Sequence, residues 1–164
     1  MNTNLNKDIG RRAVVRLQLE HDELHFSVRR NGSAAQANRS WAVSTTPVRD
    51  ILRHDPATIA ELEAAIATVE DLIIPVIRTL PSGAALEISG SAMKEVVKAI
   101  RAFSDHQELS IEEVELLFSR LADVISGTPV AMSGIPVDAS FSMSMVVLRE
   151  VMHHGGYHTA AVLF

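Results

Sequence analysis

The chain contains no cysteine. That excludes disulfides, zinc–thiolate centres and cysteine nucleophiles. No apolar run is long enough to span a bilayer, and the opening Met1-Asn2-Thr3-Asn4-Leu5-Asn6-Lys7 lacks the apolar core of a signal peptide. A basic excess is also absent. Fifteen Lys and Arg stand against 20 Asp and Glu, for a net charge of −5 and a pI of about 5.8, so bulk electrostatics give no support for nucleic-acid binding. Gly-x-Ser-x-Gly, P-loop and Ser/His/Asp arrangements are missing, as are internal repeats and low-complexity segments. The expectation is a cytoplasmic protein that engages neither membrane nor nucleic acid.

What is present is enough apolar material for one core: 47% of 164 residues are hydrophobic. Residues 1–12 are expected to be a polar, flexible tail and 13–164 one domain. Ala13–Leu19 and Leu24–Arg29 alternate apolar and polar residues around the acidic turn Glu20-His21-Asp22-Glu23, which predicts a hairpin. Asn31-Gly32-Ser33 predicts a second turn, and Ser40–Ser44 a third strand of the meander. Pro47–Leu52 reads as a short helical connection. A long helix is expected to start near Asp55-Pro56, with Thr58 and Glu61 as a capping box. Its stripe of Ile59, Leu62, Ile66, Val69, Ile73, Val76 and Leu80 predicts burial on a sheet or, alternatively, a coiled-coil seam, and Pro75 is expected to bend its end.

After the break at Pro81-Ser82-Gly83, Leu86-Glu87-Ile88 reads as a buried strand leading through Ser89-Gly90-Ser91 into a helix with Met93, Val96, Val97, Ile100 and Phe103 inward. Ser110 and Glu113 form a second capping box, with Leu109 and Val114 as its staple. The following helix is expected to bury Val114, Leu117, Leu121 and Ile125, and to end at Ser126–Pro129. A last helix from about Asp138 carries Phe141, Met145, Leu148 and Met152 inward and stops at Gly155-Gly156. His158–Phe164 is a nearly all-apolar strand, expected inside the sheet.

Three strands, a helix, a strand, helices and a strand are the layout of a ribonuclease-H-like α/β domain: an antiparallel meander extended by parallel strands, with helices packed on the sheet. With Ser40–Arg49 before the long helix, Glu87-Ile88-Ser89-Gly90-Ser91-Ala92 as strand and loop, and Leu109–Val114 running on to Gly134-Ile135-Pro136 and the last helix, the chain resembles the second half of the Ppx/GppA (exopolyphosphatase / guanosine pentaphosphate phosphatase) family, of the actin-like ATPase superfamily. The resemblance covers residues 13 to 164. It implies phosphoanhydride hydrolysis at a site between two such halves, with Mg2+ if the chain is a phosphohydrolase, and a phosphate held at Ser89, Gly90 and Ser91.

The departures are specific. The family's glycine-rich phosphate loop in the first hairpin is replaced by Glu20-His21-Asp22-Glu23, whose carboxylates would repel phosphate. Asp8-Ile9-Gly10 imitates that loop by chance. The Arg after the Gly-Leu-Pro-like turn is missing, and so is the half that carries the catalytic base. The leading expectation is therefore a degenerate half-domain, non-catalytic alone, acting as a homodimer or with a partner chain and retaining at most weak binding of a phosphate-containing ligand. The first alternative is one half of a two-chain phosphohydrolase.

Two further groups invite metal readings. His153, His154 and His158 form the densest histidine cluster, which would suit a small metal-dependent enzyme; the plainer reading is histidine favoured at a helix C-terminus. Glu20, Asp22 and Glu23 could hold an ion, but an exposed turn accounts for them. For Ser89-Gly90-Ser91 the plainer reading is a strand-to-helix turn with a serine N-cap. Ser140, Ser142 and Ser144, alternating with Met143 and Met145, predict a close helix contact, and the Met-rich last helix is the face expected to associate.

Overall fold

The computed structural model describes residues 13–30 and 39–164. The expected tail at 1–12 and the Asn31-Gly32-Ser33 turn lie outside the described residues. The elements are β1 (Ala13–Glu20), β2 (Glu23–Arg30), β3 (Arg39–Ser44), α1 (Thr46–Ile51), α2 (Ile59–Ile77), β4 (Ala85–Ser89), a 3-10 turn Ser91–Met93 running into α3 (Lys94–Arg101), β5 (Glu108–Ser110), α4 (Ile111–Ile125), α5 (Val130–Ser133), α6 (Ala139–Gly155) and β6 (Thr159–Val162). They build one six-stranded sheet in the order β3-β2-β1-β4-β6-β5. The pairs β1–β2 and β2–β3 are antiparallel, β1–β4 and β4–β6 are parallel, and β5–β6 is antiparallel. This is the expected meander extended by parallel strands, an actin-like, ribonuclease-H-like α/β fold. No helix among the described residues is long and apolar enough to cross a membrane.

Burial follows the two-residue period of a strand. Val15, Leu17 and Leu19, Leu24, Phe26 and Val28, Leu86 and Ile88, and Ala160 are all buried on one face. The other face is polar: Glu87 receives hydrogen bonds from Arg16 at 3.0 Å and Arg29 at 3.1 Å. The helices therefore cover one side. β6 is flanked by β4 and β5, as the apolar run His158–Phe164 predicts, but the strand is only Thr159–Val162, Ala160 alone in it is buried, and Leu163 and Phe164 beyond it are exposed. β5 is unforeseen: three residues read only as a helix approach form an edge strand against β6.

α6 lies at the middle of the helical layer, packed along α2 and α4 and touching α1 and α3. It is buried almost all round. Met143, Val146, Val147 and Val151 are enclosed together with the expected Phe141, Met145, Leu148 and Met152, and so are Ser142 and Ser144. A helical stretch buried all round belongs in the interior, so Phe141–Leu148, the Met-rich part of the helix, is core and offers no face for association. The serines do permit close packing, with Ser144 Oγ donating to Ser140 O at 2.8 Å.

α2 also corrects the sequence reading. It begins at Ile59 with Thr58 as N-cap, and Asp55-Pro56 lies in the bend before it. Thr58 Oγ1 accepts the Glu61 N–H at 3.2 Å and Glu61 accepts the Thr58 N–H at 2.8 Å. These reciprocal bonds fix the start there. Its inward residues are Leu62, Ala65, Val69, Ile73 and Val76. Ile59 is 54% exposed, while Ile66 and Leu80 are half-buried. The stripe is covered within the chain by α6, which removes the coiled-coil alternative. The helix passes through Pro75 and ends at Ile77. Similarly, α4 buries Val124 and leaves Ile125 half-buried, and Phe103 beyond α3 is half-buried beneath the Arg120 guanidinium, 4.5 Å from its ring centre.

Candidate functional site

Strands β1, β3, β4 and β6 run in one direction, so their C-terminal ends share an edge of the sheet, where ligands bind in open α/β sheets. β1 and β4 are in register with Gln18 opposite Ser89. Two residues further, Glu20 stands opposite Ser91. The chain approaches very closely here: a Cβ on Gly90 would lie 2.2 Å from the Leu19 carbonyl oxygen, and Gly90 has φ +104°. Both conditions demand glycine. Gly90 is also the N-cap of the turn, and it has no side chain with which to cap it. The Glu20 carboxylate takes that role. Glu20 Oε2 accepts the Ser91 N–H at 3.0 Å and the Ser91 hydroxyl. These two donors, the hydroxyl foremost, hold the Glu20 carboxyl below its ordinary value.

Ser89, Gly90 and Ser91 thus form a compact strand-to-helix loop whose Ser91 donors already hold an anion, one supplied by the protein. The serine N-cap reading is corrected by the same geometry, since Gly90 occupies the cap position. The acidic turn does face the loop, as Glu20 shows. Asp22 in that turn is paired with Arg49, its carbonyl accepts the Thr45 N–H at 2.7 Å, and Glu23 lies 3.1 Å from His25.

The histidines are arranged differently. His153 and His154 meet edge to face with ring centres 5.3 Å apart. His154 turns toward two carboxylates, with Nε2 2.9 Å from Glu70 Oε1 on α2 and 3.4 Å from Glu150 Oε2 one helical turn back on α6. His158 is exposed beyond the Gly156 cap. Among the described residues, the ligand-type atoms that come together are those of Glu70, Glu150 and His154, all within 4.8 Å of one another; His153 and His158 do not join them. Sequence reasoning missed both glutamates. Glu150 was detectable from its i, i+4 spacing to His154, whereas Glu70 is 84 residues away and left no local signal. Glu20 was noticed only as part of a turn.

No family model and no curated protein matches the sequence. Solved structures do. An exopolyphosphatase-like protein superposes with a TM-score of 0.65 at 16% identity, over 98% of this chain and 58% of that one. The Aquifex aeolicus PPX-GPPA enzyme gives 0.65 at 10% identity, over 92% and 52%. An exopolyphosphatase from Cytophaga hutchinsonii gives 0.62 at 11% identity, over 93% and 53%. The chain has the Ppx/GppA fold. It spans a little over half the length of these proteins, and at such identities the likeness is one of fold.

Proposed function

We infer that the chain is a Ppx/GppA-like half-domain, non-catalytic on its own, acting through association with itself as a homodimer or with a partner chain that supplies the other half. The observation that carries this reading is the Glu20 carboxylate on the Ser91 donors. Phosphoryl transfer requires the phosphate to be held and water to be activated. Here a side chain of the protein occupies the loop that would hold the phosphate. A phosphate-containing ligand would have to displace a carboxylate that its own donors stabilise as an anion. Mg2+ would need free carboxylates at this edge. Glu20 is held by Ser91 and Asp22 by Arg49, so these residues do not fit a Mg2+ site and no step runs through one. The association reading rests on the resemblance, which puts the family's active site between two such halves, one of which this chain matches in fold.

The test is phosphate release from polyphosphate and from guanosine pentaphosphate by the purified chain. None above the buffer blank is expected. Release that disappears in Ser91→Ala would overturn the reading. Light scattering tests the association: a mass above 17.9 kDa at micromolar concentration is expected for a homodimer. A constant monomer mass on tenfold dilution and concentration would leave only the foreign partner.

A further inference from the structure

We propose that Glu70, Glu150 and His154 bind one first-row divalent metal ion of the zinc class, pinning α2 to α6 on the side of the molecule defined by those helices. This inference is independent of the reading of the Ser91 loop. It rests on the donor set, its spacing and its charge.

Metal–ligand bonds of about 2.0–2.2 Å place neighbouring ligand atoms about 3.0–3.5 Å apart around a tetrahedral or octahedral ion. His154 Nε2 stands 2.9 Å from Glu70 Oε1 and 3.4 Å from Glu150 Oε2, and the three ligand atoms all lie within 4.8 Å of one another, so the donors are gathered around one point that an ion can occupy. The helix supplies two of the ligands by its own geometry, because residues four apart share a face. Glu150 is 2% exposed. Its Oε1 receives the Arg149 guanidinium at 2.5 Å, which orients the carboxylate and leaves Oε2 directed at His154. A ligating carboxylate fixed by an outer hydrogen bond is the usual design of a metal site. Arg149 is itself held on its far side by both oxygens of Glu115 at 3.1 Å and over the Phe118 ring at 4.4 Å.

The group carries an excess of formal negative charge. Glu70, Glu115 and Glu150 bring three negative charges and Arg149 one positive. Counting His154 as uncharged, the form that can donate its Nε2 lone pair, the group carries −2, the charge one divalent ion offsets. An imidazole among carboxylates selects zinc, iron or nickel over magnesium and calcium, which prefer oxygen alone. Side-chain exposures of 38% for Glu70 and 28% for His154 leave an entry path and room for water in the remaining positions. The rival account is a protonated His154 lying between two glutamates with no ion.

Calorimetric titration of the full chain with Zn2+ decides, alongside thermal melts with Zn2+ and with Mg2+. Expected are one Zn2+ per chain, a rise in melting temperature with Zn2+ and none with Mg2+, at least tenfold weaker Zn2+ binding in His154→Ala and in Glu70→Gln, and unchanged binding in the double variant His153→Ala/His158→Ala. Circular dichroism checks that each variant is folded, and Glu70→Gln serves if His154→Ala is not. Absence of saturable Zn2+ binding, undiminished binding in the folded variants, loss of binding in the double variant, or an equal response to Mg2+ would each overturn the proposal.

Discussion

Helices α2 and α4 begin on carboxylates that stand three residues inside them, whereas the helix after β4 begins on a carboxylate borrowed from another strand. At α2, Thr58 caps and Glu61 answers; at α4, Ser110 caps and Glu113 answers. Each box is completed by a histidine seven residues upstream of its glutamate: His54 lies 2.8 Å from Glu61 and His106 2.9 Å from Glu113. At Ser91 there is no local cap, because the approach of Gly90 to Leu19 excludes a side chain, and Glu20 arrives from 71 residues away. At all three sites a carboxylate accepts a backbone N–H of the helix start, that of the cap residue at Thr58 and Ser110 and that of the first residue of the turn at Ser91. The difference lies in what can leave. A local glutamate is tied to the helix it caps, whereas Glu20 sits on a different element and can be withdrawn without dismantling the helix.

The largest effect is expected where the distant arrangement is most constrained. Gly90→Ala meets a backbone oxygen and a left-handed φ together, and should cost about 2–5 kcal/mol from strain and overpacking combined. Gly134→Ala, with φ +67° but open space around its Cβ position, should cost only about 1 kcal/mol for strain. Urea unfolding midpoints of the two variants compare them directly. Equal, small losses would show that β1 does not press on the loop, and the contrast between the two kinds of helix start would fail.

Next come the local boxes. Ser110→Ala and Thr58→Ala each remove an acceptor for the glutamate N–H and should cost about 0.5–2 kcal/mol. The boxes also carry a pH signature. Glu61 is held at about 2, from 4.5, chiefly by the Thr58 N–H and then by His54. Glu113 is held at about 2 although burial pushes it up, because the Ser104 hydroxyl, the Ser110 N–H and His106 together outweigh that burial. A carboxylate with a lowered folded value stabilises the fold above its unfolded value and loses that contribution as pH falls. Unfolding midpoints should therefore hold above about pH 4.5 and decline from there toward pH 2. The decline should be shallower in Glu113→Gln. The same decline in that variant would assign it to other groups.

These boxes were legible in the sequence because a capping box is contained in four residues. The hairpin, the helix order and the place of β6 inside the sheet were legible for the same reason: each is written in the pattern of a short segment. The burial of α6 was read as half the truth. Phe141, Met145, Leu148 and Met152 announce one buried stripe, but only the presence of α2 and α4 on either side reveals that Met143, Val147 and Ser142 are enclosed too. Ile59 fits the α2 stripe by spacing but lies in the first turn, beyond the reach of the core, and is exposed. β5 owes its strand to the edge of β6 and to nothing in its own three residues. Glu20 with Ser91, and Glu70 with His154, depend on register and helix docking between segments more than 70 residues apart, which no local pattern records.

The smallest expected effect bears most directly on function. Glu20→Ala removes an exposed carboxylate from the Ser91 donors and should cost about 0.3–1 kcal/mol, the size of a charge at a helix N-terminus. The same change frees the loop. If the loop prefers anions in general, the variant should take inorganic phosphate where the wild type does not. The gain would be modest: at a phosphate concentration equal to its Kd, stabilisation is about 0.4 kcal/mol. Asp22 and Glu23 remain in the neighbouring turn, but Asp22 is paired with Arg49 and Glu23 with His25, so neither replaces Glu20 on Ser91. Thermal melts of wild type and Glu20→Ala, with phosphate raised at constant ionic strength against chloride, give the comparison. The expected outcome is a phosphate-dependent rise in the variant alone, removed again in Glu20→Ala/Ser91→Ala. A rise of equal size in the wild type would show that Glu20 does not guard the loop. No rise in either would mean that the loop is only a helix start, fitted to its own glutamate as closely as α2 is to Glu61.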